Sequence, residues 1–411
     1  MTNIYAALEL GTTRSVLAVA EAKTGEKLKI VRHAEINSSG IRKSQILDIK
    51  QASESIKGLI KAIEQSPDND HDSINIGNAF LVISGQHVKA DLYCGSIQVE
   101  GSKVTNRDIE EVERACQMMV LPKERETLDI IYQTYGLDAL EGISSPKGMS
   151  GRMLRLNTLH IHGNSNRIND ARTAAAEANL ELRDPLFAAS CAADAVLTDD
   201  EKNEGALVLD LGGGSTSYAV YFDGYLAAAN VIGIGGDHIS SDIAYAFHTT
   251  HAQAEDLKKN EASAIIAPNG SSSARVPIQG SSPLMDARTI SRRALDTVVN
   301  LRLKELFSII RHELEYQDLL HRLHKGIILT GGGSALNGID ALIHNELGHP
   351  VRIGKPIHID GLSNVENPES FAAISGALMF AHRNYESKPI LSLIIISTPL
   401  QTSYKTGGNH L

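Results

Sequence analysis

The chain has 411 residues, 42% of them hydrophobic, and a formal net charge of −10. This length predicts two or more domains, because single hydrophobic cores stop growing at about 250–300 residues. No basic run stands out, which argues against a nucleic-acid partner. The three scattered cysteines include no Cys-x-x-Cys pair, which argues against a disulfide framework or a zinc site. We also expect no signal peptide and no membrane-spanning segment.

The first recognisable pattern is an apolar strand that ends in an acid and a glycine turn. Residues 4–19 combine a strand that ends near Glu9 with a turn and a second apolar strand. The turn residues are Gly11, Thr12, Thr13 and Arg14. A strand, a helix with one apolar face and another strand follow at 27–34, 48–65 and 78–84. This order predicts a β-β-β-α-β unit.

Residues 85–163 interrupt this rhythm with their own hydrophobic pattern. We predict strands at 89–93, 96–100, 129–135 and 153–162, and a helix at 106–119 that begins after Thr105 as a cap. These residues are therefore interpreted as an inserted subdomain.

Two later helices are rich in small residues. Residues 166–178 and 185–197 are predicted to be helical, and the second contains a run of alanine and serine. A closing helix at 368–382 has the same composition. Such helices pack backbone to backbone where they cross near a hinge, although plain core helices fit the segments equally well.

The acid and glycine pattern occurs twice more. Residues 206–216 form an apolar strand with an acid before three glycines, and residues 326–336 repeat the glycine turn without the acid. The turn residues are Asp210, Gly212, Gly213, Gly214, Ser215 and Thr216, and then Gly331, Gly332, Gly333, Ser334 and Leu336. Glycine permits positive φ angles and close approach, so that backbone N–H groups can face an anion. One copy fits an ordinary hairpin; three in this order predict two turns around the phosphates of a nucleotide and a third turn beside its base and sugar.

Between these turns lie further candidate contacts. Gly235 and Gly236 precede a helix at 239–247, where free N–H groups would favour phosphate. Glu255 and Lys258 share one side of a helix at 250–260, either as a solvated charged face or as contacts to ribose or base. We expect a mobile loop at 262–283 and a long amphipathic helix, or a pair of helices, at 289–323.

The duplicated order predicts an α/β, actin-like (ribonuclease-H-like) ATPase fold with two lobes around a nucleotide cleft. The predicted parts are 1–84, 164–198 and 356–386 for the first lobe, 85–163 for the insert, 199–236 and 301–355 for the second lobe, 237–300 for a small subdomain of that lobe, and 387–411 for an apolar tail.

The sequence resembles the FtsA family, the bacterial cell-division homologues of actin, over residues 4 to about 382. The specific segments are 241–247 (Ser-Asp-Ile-Ala-Tyr-Ala-Phe), 141–143 (Glu-Gly-Ile), 148–152 (Gly-Met-Ser-Gly-Arg) and 351–354 (Val-Arg-Ile-Gly). The place of the insert at 85–163 is also typical of the family. A PilM-like protein of pilus assembly and a sugar or acetate kinase on the same fold are the alternatives.

This resemblance implies that ATP and Mg²⁺ bind in the cleft. It implies that Thr12, Thr13 and Arg14, with residues 212–216, would hold the phosphates. Ribose and adenine would be held by Gly235, Gly236, Glu255, Lys258 and the turn at 331–336. Asp210 would hold Mg²⁺ through water with the help of Glu9, and these two acids are the candidate catalytic residues. The superfamily places a Gln or Glu base on the first crossing helix, where this chain has Leu186 to Ser190 preceded by Asp184. We therefore expect slow hydrolysis.

The resemblance also implies partners. The C-terminal peptide of FtsZ would dock on residues 237–300, with Arg288, Arg292, Asp296 and Arg302 as candidate contacts or as a solvated helix face. The family motif Glu-Pro-Arg reads Asn-Leu-Arg at 300–302. Self-association into filaments, contacts with other division proteins through 85–163, and a position on the cytoplasmic face of the inner membrane at the division site are further expectations. The tail lacks the helical periodicity of the family's amphipathic membrane anchor.

Overall fold

The computed structural model describes residues 2–23, 25–65, 75–266, 274–278 and 288–385. The predicted tail at 387–411 lies outside the described residues, as does part of the predicted loop at 262–283. Among the described residues, no helix combines the length and the apolar character needed to span a membrane.

The described elements alternate strands and helices in the order that the sequence predicts for a duplicated α/β fold. The strands are β1 (Thr2–Leu10), β2 (Arg14–Lys23), β3 (Lys29–Asn37), β4 (Ile41–Arg42), β5 (Gln45–Ile46), β6 (Asn78–Ile83), β7 (Lys89–Gln98), β8 (Arg125–Leu137), β9 (Leu140–Ile143), β10 (Met153–Asn164), β11 (Glu181–Phe187), β12 (Ala206–Leu211), β13 (Thr216–Phe222), β14 (Tyr225–Ile232), β15 (Arg275–Ile278), β16 (Arg288–Ser291), β17 (Ile327–Thr330) and β18 (Val351–Ile353). The helices are α1 (Ile49–Glu64), α2 (Asn106–Gln117), α3 (Ser165–Ala176), α4 (Ala188–Val196), α5 (Asp199–Glu204), α6 (Gly236–Phe247), α7 (His251–Asn260), α8 (Arg292–Tyr316), α9 (Ile339–Leu347) and α10 (Ala372–Tyr385), with short 3₁₀ turns at Leu320–Arg322, Gly332–Ala335 and Pro368–Phe371.

Two five-stranded sheets have the same topology. Lobe I is built on the order β11-β6-β1-β2-β3, and lobe II on β14-β13-β12-β17-β18. In each lobe three antiparallel strands come first. The next strand, β6 or β17, pairs in parallel with the first of the three, and the last, β11 or β18, pairs in parallel with that strand. Ala7 and Leu8 on β1 and Val208 and Leu209 on β12 are all fully buried, because both faces of each central strand are covered. The predicted duplication is confirmed.

The insert forms its own sheet, in the order β7-β10-β8-β9. Helix α2 covers it and begins, as predicted, at Thr105, which forms a capping box with Asp108. The two strands predicted at 89–93 and 96–100 are in fact one strand, β7. Gly95 allows this, because a Cβ at that position would lie 2.5 Å from the Cys116 sulfur on α2. The strand therefore runs unbroken beneath the helix.

The two helices rich in small residues pack against each other between the lobes. A Cβ on Gly376 of α10 would overlap the Cys191 carbonyl of α4, so the two backbones are in direct contact. Helix α4 also packs on β12 and β13 of lobe II, whereas α10 packs on β1 and β6 of lobe I. The predicted start of the first of these helices at 185 is wrong: residues 185–187 pair with β6 as the end of β11. The crossing helices lie in a hydrophobic cluster that contains buried residues of both lobes, while each lobe also has a cluster of its own.

Two predictions in the second half need correction. The helix expected at 289–323 begins only at Arg292, because Arg288–Ser291 pairs with Arg275–Ile278 as a short antiparallel ribbon. Strand β14 has no counterpart in the elements predicted from the sequence, and its centre is rich in alanine, which is depleted in strands. It completes the antiparallel part of lobe II, and the insert docks on it where Gln133 Nε2 donates to the carbonyls of Leu226 and Ala227.

Candidate nucleotide-binding site

The turn that follows β1 and the turn that follows β12 face each other across the cleft between the lobes. A Cβ on Gly213 would overlap the Thr13 hydroxyl and lie 3.1 Å from the Thr13 Cβ. A Cβ on Gly214 would overlap the Thr12 hydroxyl in the same way. The structure therefore brings together the two acid-bearing turns that the sequence predicts. An anion can pass between them only if the turns move apart.

Glycine is required in the lobe II turn for a different reason from the one expected. Gly212, Gly213 and Gly214 all lie outside the left-handed region of φ. The absence of a side chain is needed instead for the approach of Thr12 and Thr13 from lobe I. The expectation of positive φ in this turn is wrong, and that of close approach is confirmed.

The two predicted acids lie together at the ends of β1 and β12. Burial, and after it the charge of Glu9, raise the pKa of Asp210 to about 7, although the Arg14 charge opposes both effects. Burial also raises the pKa of Glu9, and Arg14 again opposes the rise. The structure thus holds two carboxylates that repel each other in a poorly solvated place. A bound divalent cation would relieve this repulsion.

Arg14 is engaged on the side of lobe I rather than in the cleft. Its guanidinium forms an ion pair with Glu35, donates to the Ser370 carbonyl and stacks over the Phe371 ring at 5.1 Å. The prediction that Arg14 holds phosphates is not supported by this arrangement. Its nearby charge instead moderates the two acids.

Gly235 and Gly236 lie directly on the lobe II turn. The N–H groups of Gly236 and Asp237 donate to the carbonyls of Gly212 (3.0 Å) and Gly213 (2.8 Å). These two N–H groups are therefore not turned toward a phosphate, contrary to the expectation. They fix the shape of the glycine turn, and the lack of a side chain on Gly235 lets the two segments touch.

Glu255 and Lys258 form a half-buried ion pair above this junction. Lys258 Nζ lies 2.6 Å from Glu255 Oε2 and also donates to the Gly236 carbonyl and the Ser240 hydroxyl, each at 3.0 Å. Burial opposes the charged form of Glu255, but the Lys258 charge, the hydrogen bonds from Lys258 and Ser240 and the Lys259 charge together lower the pKa of that carboxyl. The pair is thus a fixed part of the cleft wall rather than a solvated face.

The third turn, after β17, packs beside the acid of lobe II. Gly331 has φ +82°, and a Cβ there would overlap Asp210 Oδ1. Its N–H donates to the Glu369 carbonyl, while the Ser334 hydroxyl donates back to the Gly331 carbonyl. Gly333 is similarly close to Leu211. The turn thus continues the cleft wall from Asp210, and its contact with base and sugar remains a prediction.

Asp184 lies far from the paired acids. It is exposed at an irregularity of the edge strand β11, next to a polar surface pocket that Arg172 and Glu181 also line. One strand, β6, lies between β11 and β1, so these two strands are about 10 Å apart. The structure therefore does not bring Asp184 to the acid pair.

The four predicted partner contacts on the small subdomain of lobe II differ in exposure. Asp296 is only 2% exposed and accepts a hydrogen bond from the Ser263 N–H, so its expected exposure is wrong. Arg292 pairs with Glu261, and Arg288 donates to the Phe247 carbonyl. Arg302 forms a two-point ion pair with Asp242 of α6, at 2.6 and 2.9 Å.

Two residues at the cleft were missed from the sequence. Ser44, in the turn between β4 and β5, lies between the two facing turns, and its N–H donates to the Thr12 hydroxyl at 2.8 Å. Gln86 follows β6, and its side chain lies against Gly233 of lobe II. The turn between β4 and β5 lacks the Asn-Gly or Asp-Gly pair that is typical of such hairpins, and neither Ser44 nor Gln86 has a distinctive sequence context.

The duplicated sheets, facing turns and crossing helices define the class of protein. The PilM–PilN type IV pilus biogenesis complex contains a chain with this fold, at a TM-score of 0.62 and 18% identity over 91% of this chain and 98% of that one. MreB 5 of Spiroplasma citri bound to AMPPNP matches with a TM-score of 0.53 and 15% identity over 93% and 97% of the two chains. The fold is that of the actin-like ATPases.

Sequence comparison then specifies the family. The family model "Cell division protein FtsA" matches residues 207–376, and "SHS2 domain inserted in FTSA" matches residues 85–162. Cell division protein FtsA of Pseudomonas aeruginosa is 31% identical over 377 residues, which cover 91% of this chain and 88% of the relative. FtsA of Escherichia coli K12 is 29% identical over 392 residues, covering 93% and 91%. The chain belongs to the FtsA family, so the predicted family is confirmed and the two alternatives are not favoured.

Proposed function

We propose that this chain binds ATP with Mg²⁺ in the cleft and uses it to control assembly into filaments. The observation that carries this proposal is the pair of facing turns with Glu9 and Asp210 at their bases. Carboxylate oxygens suit Mg²⁺, which usually binds through one or two carboxylates and substrate phosphates. Glycine backbone and the hydroxyls of Thr12 and Ser215 suit the phosphates. The residues present therefore fit both groups.

The proposed hydrolysis is slow. When bound, Mg²⁺ would neutralise charge on the phosphates, but fast cleavage also needs a residue that orients or deprotonates a water. The crossing helix α4 begins with Ala188 and Ala189, and its Ser190 hydroxyl donates to the Phe187 carbonyl. Asp184, the acid that precedes this helix, lies on the outer strand β11. Nucleotide would thus serve assembly more than turnover.

The proposed cellular role follows from family membership. The protein would link FtsZ filaments to the membrane and to other division proteins at the cytoplasmic face of the division site, the latter through residues 85–163. The proposed docking place for the FtsZ C-terminal peptide is the small subdomain of lobe II at 237–300 and the next residues of α8 as far as Arg302. There the Asp242–Arg302 ion pair is flanked in sequence by Tyr245 and Leu301, whose side chains are 85% and 62% exposed. Exposed apolar groups beside an ion pair suit a peptide with mixed character.

A reconstitution on liposomes tests the nucleotide part of this proposal. We expect the protein to form filaments on anionic liposomes with Mg·ATP and to recruit FtsZ polymers, as seen by co-sedimentation and electron microscopy. Asp210→Ala should lower ATP affinity at least about tenfold, since it removes a charge-assisted contact, and assembly should fail with it. Asp199→Ala, an exposed acid on α5, is the matched control. Normal ATP binding and assembly by Asp210→Ala would contradict the proposal.

A peptide-binding assay tests the docking site separately. Arg302→Ala should weaken binding of the FtsZ C-terminal peptide about tenfold in fluorescence anisotropy, because it removes a charged contact and leaves Asp242 unpaired. Arg311→Ala removes another paired arginine of α8, here with Glu315, and should have little effect. Equal affinities for the two variants would place the docking site elsewhere.

A further inference from the structure

The tip of the short hairpin β4–β5 enters the cleft from lobe I. Lys43 and Ser44 form this tip, and both have left-handed backbone angles, with φ of 50° and 57°. A two-residue turn with both φ values positive normally contains Asn or Gly, because other side chains are strained there. The tip is thus held in a conformation that its own residues do not favour.

The contacts of Ser44 explain what holds the tip in place. Its N–H donates to the Thr12 hydroxyl, and its own hydroxyl lies 3.4 Å from the Ser215 hydroxyl across the cleft. A Cβ on Gly214 would lie 3.2 Å from the Ser44 hydroxyl. Ser44 therefore touches both facing turns at the place where a phosphate must separate them.

The tip also joins the start of the insert. A Cβ on Gly85, which has φ +113°, would lie 2.7 Å from the Ser44 Cβ. Gly85 directly precedes the segment that leads into β7 of the insert. A displacement of the tip would therefore change contacts both with lobe II and at the start of the insert.

Lys43 brings a positive charge to this place. Its side chain is exposed, and its charge, after burial, is the second cause that lowers the pKa of His238 on α6 of lobe II. The other two cations that we place at the cleft are already engaged. Arg14 is bound to Glu35, and Lys258 is bound to Glu255. Lys43 is therefore the cleft cation best able to turn toward an incoming anion.

We propose that Lys43 binds the terminal phosphate of a nucleoside triphosphate and that Ser44 positions it, so that the β4–β5 tip distinguishes triphosphate from diphosphate. This inference rests on the proposed nucleotide binding. The terminal phosphate carries the charge by which the two nucleotides differ, so a cation on it favours the triphosphate. By replacing the Ser44–Ser215 contact, that phosphate would also signal its presence to lobe II and to the insert.

Nucleotide affinities measured by calorimetry with Mg²⁺ test the role of Lys43. Lys43→Ala should weaken AMPPNP binding about tenfold and ADP binding less than about threefold, because it removes one charge-assisted contact. Lys43→Arg should keep most of the preference. Arg42→Ala removes an exposed charge of the same hairpin and should change neither affinity. An unchanged ratio of the two affinities in Lys43→Ala would overturn the proposal.

A second variant tests the positioning role of Ser44. Ser44→Gly keeps the N–H bond to Thr12 and relieves the left-handed strain, so the fold should be as stable as the wild type or more so. The AMPPNP-to-ADP preference should nevertheless fall about threefold, whereas a merely structural residue would leave it unchanged. If the wild type binds neither nucleotide, the proposed function fails. If it binds both and the variants keep its preference, only this inference fails.

Discussion

Lobe I and lobe II share one strand order, yet their equivalent turns have opposite side-chain character. The lobe I turn carries the bulk, in Thr12, Thr13 and Arg14, whereas the lobe II turn carries three glycines. The threonine hydroxyls occupy the space where side chains on Gly213 and Gly214 would lie. The duplication therefore preserves topology, while contact across the cleft requires the two turns to differ. Because the interior is close-packed, the threonine side chains of lobe I leave room only for glycine in the lobe II turn.

The largest effect of a substitution is expected at the crossing helices, because the two lobes meet there backbone to backbone. Gly376→Ala would force a Cβ into the Cys191 carbonyl, which cannot rotate away. We expect a loss of about 3 kcal/mol in the free energy of unfolding, measured by urea denaturation, although alanine is the better helix former. Ser375→Ala on the same helix is the control. Its buried hydroxyl has no hydrogen-bond partner among the described residues, so its loss should be neutral or stabilising. A stabilising Gly376→Ala would show that the helices do not pack this closely.

A smaller effect is expected from the acids at the bases of the two turns. The pKa of Asp210 is about 7 in the folded protein, against an ordinary 3.8. The folded state therefore keeps a proton that the unfolded state has lost, and without Mg²⁺ stability should fall as pH rises from about 4 through 7. We expect a fall on the order of 2 kcal/mol, reduced from the full shift by the partial exposure of the carboxyl.

Denaturation in EDTA at pH 5 and pH 7.5 measures this fall. Asp210→Asn, which resembles the protonated acid, should flatten the profile, and Mg·ATP should reverse it by favouring the charged form. Stability that rises over this range in the metal-free wild type would show that the two acids do not repel each other.

The smallest effect concerns the facing turns themselves. Gly213→Ala should lower the free energy of unfolding by about 1 kcal/mol, because Thr13 must rotate away. Thr13→Ala should restore most of this loss, so a double-mutant cycle should show coupling of at least about 0.5 kcal/mol. Gly332→Ala in the third turn, where a Cβ meets nothing within 4 Å, is the matched control. Additive effects of the two substitutions would mean that the turns are not in contact in solution.

Much of this architecture could be predicted from local patterns. Apolar strands that end in an acid and glycines occur at Glu9 and Asp210, and their repetition is sufficient to predict two related lobes. The Thr105 cap, which needs only the residues from 105 to 108, was also predictable. The sequence-based predictions were wrong where contacts with residues distant in the sequence set the local structure. Residues 185–187 look helical by composition but form a strand because β6 offers an edge to pair with.

The same distinction between local pattern and distant packing applies to the candidate site. The residue types at the two turns are visible in the sequence, because glycine, hydroxyl and carboxylate have distinctive chemistry. Only the tertiary structure decides that Arg14 turns to Glu35, that Asp296 is buried, and that Ser44 lies between turns more than 30 residues before and 170 residues after it. The physical reason is that side-chain partners are chosen by proximity in space, which local periodicity does not encode. The residue types of the two turns are therefore legible from local patterns, whereas the packing of the two lobes sets which of these residues face the cleft.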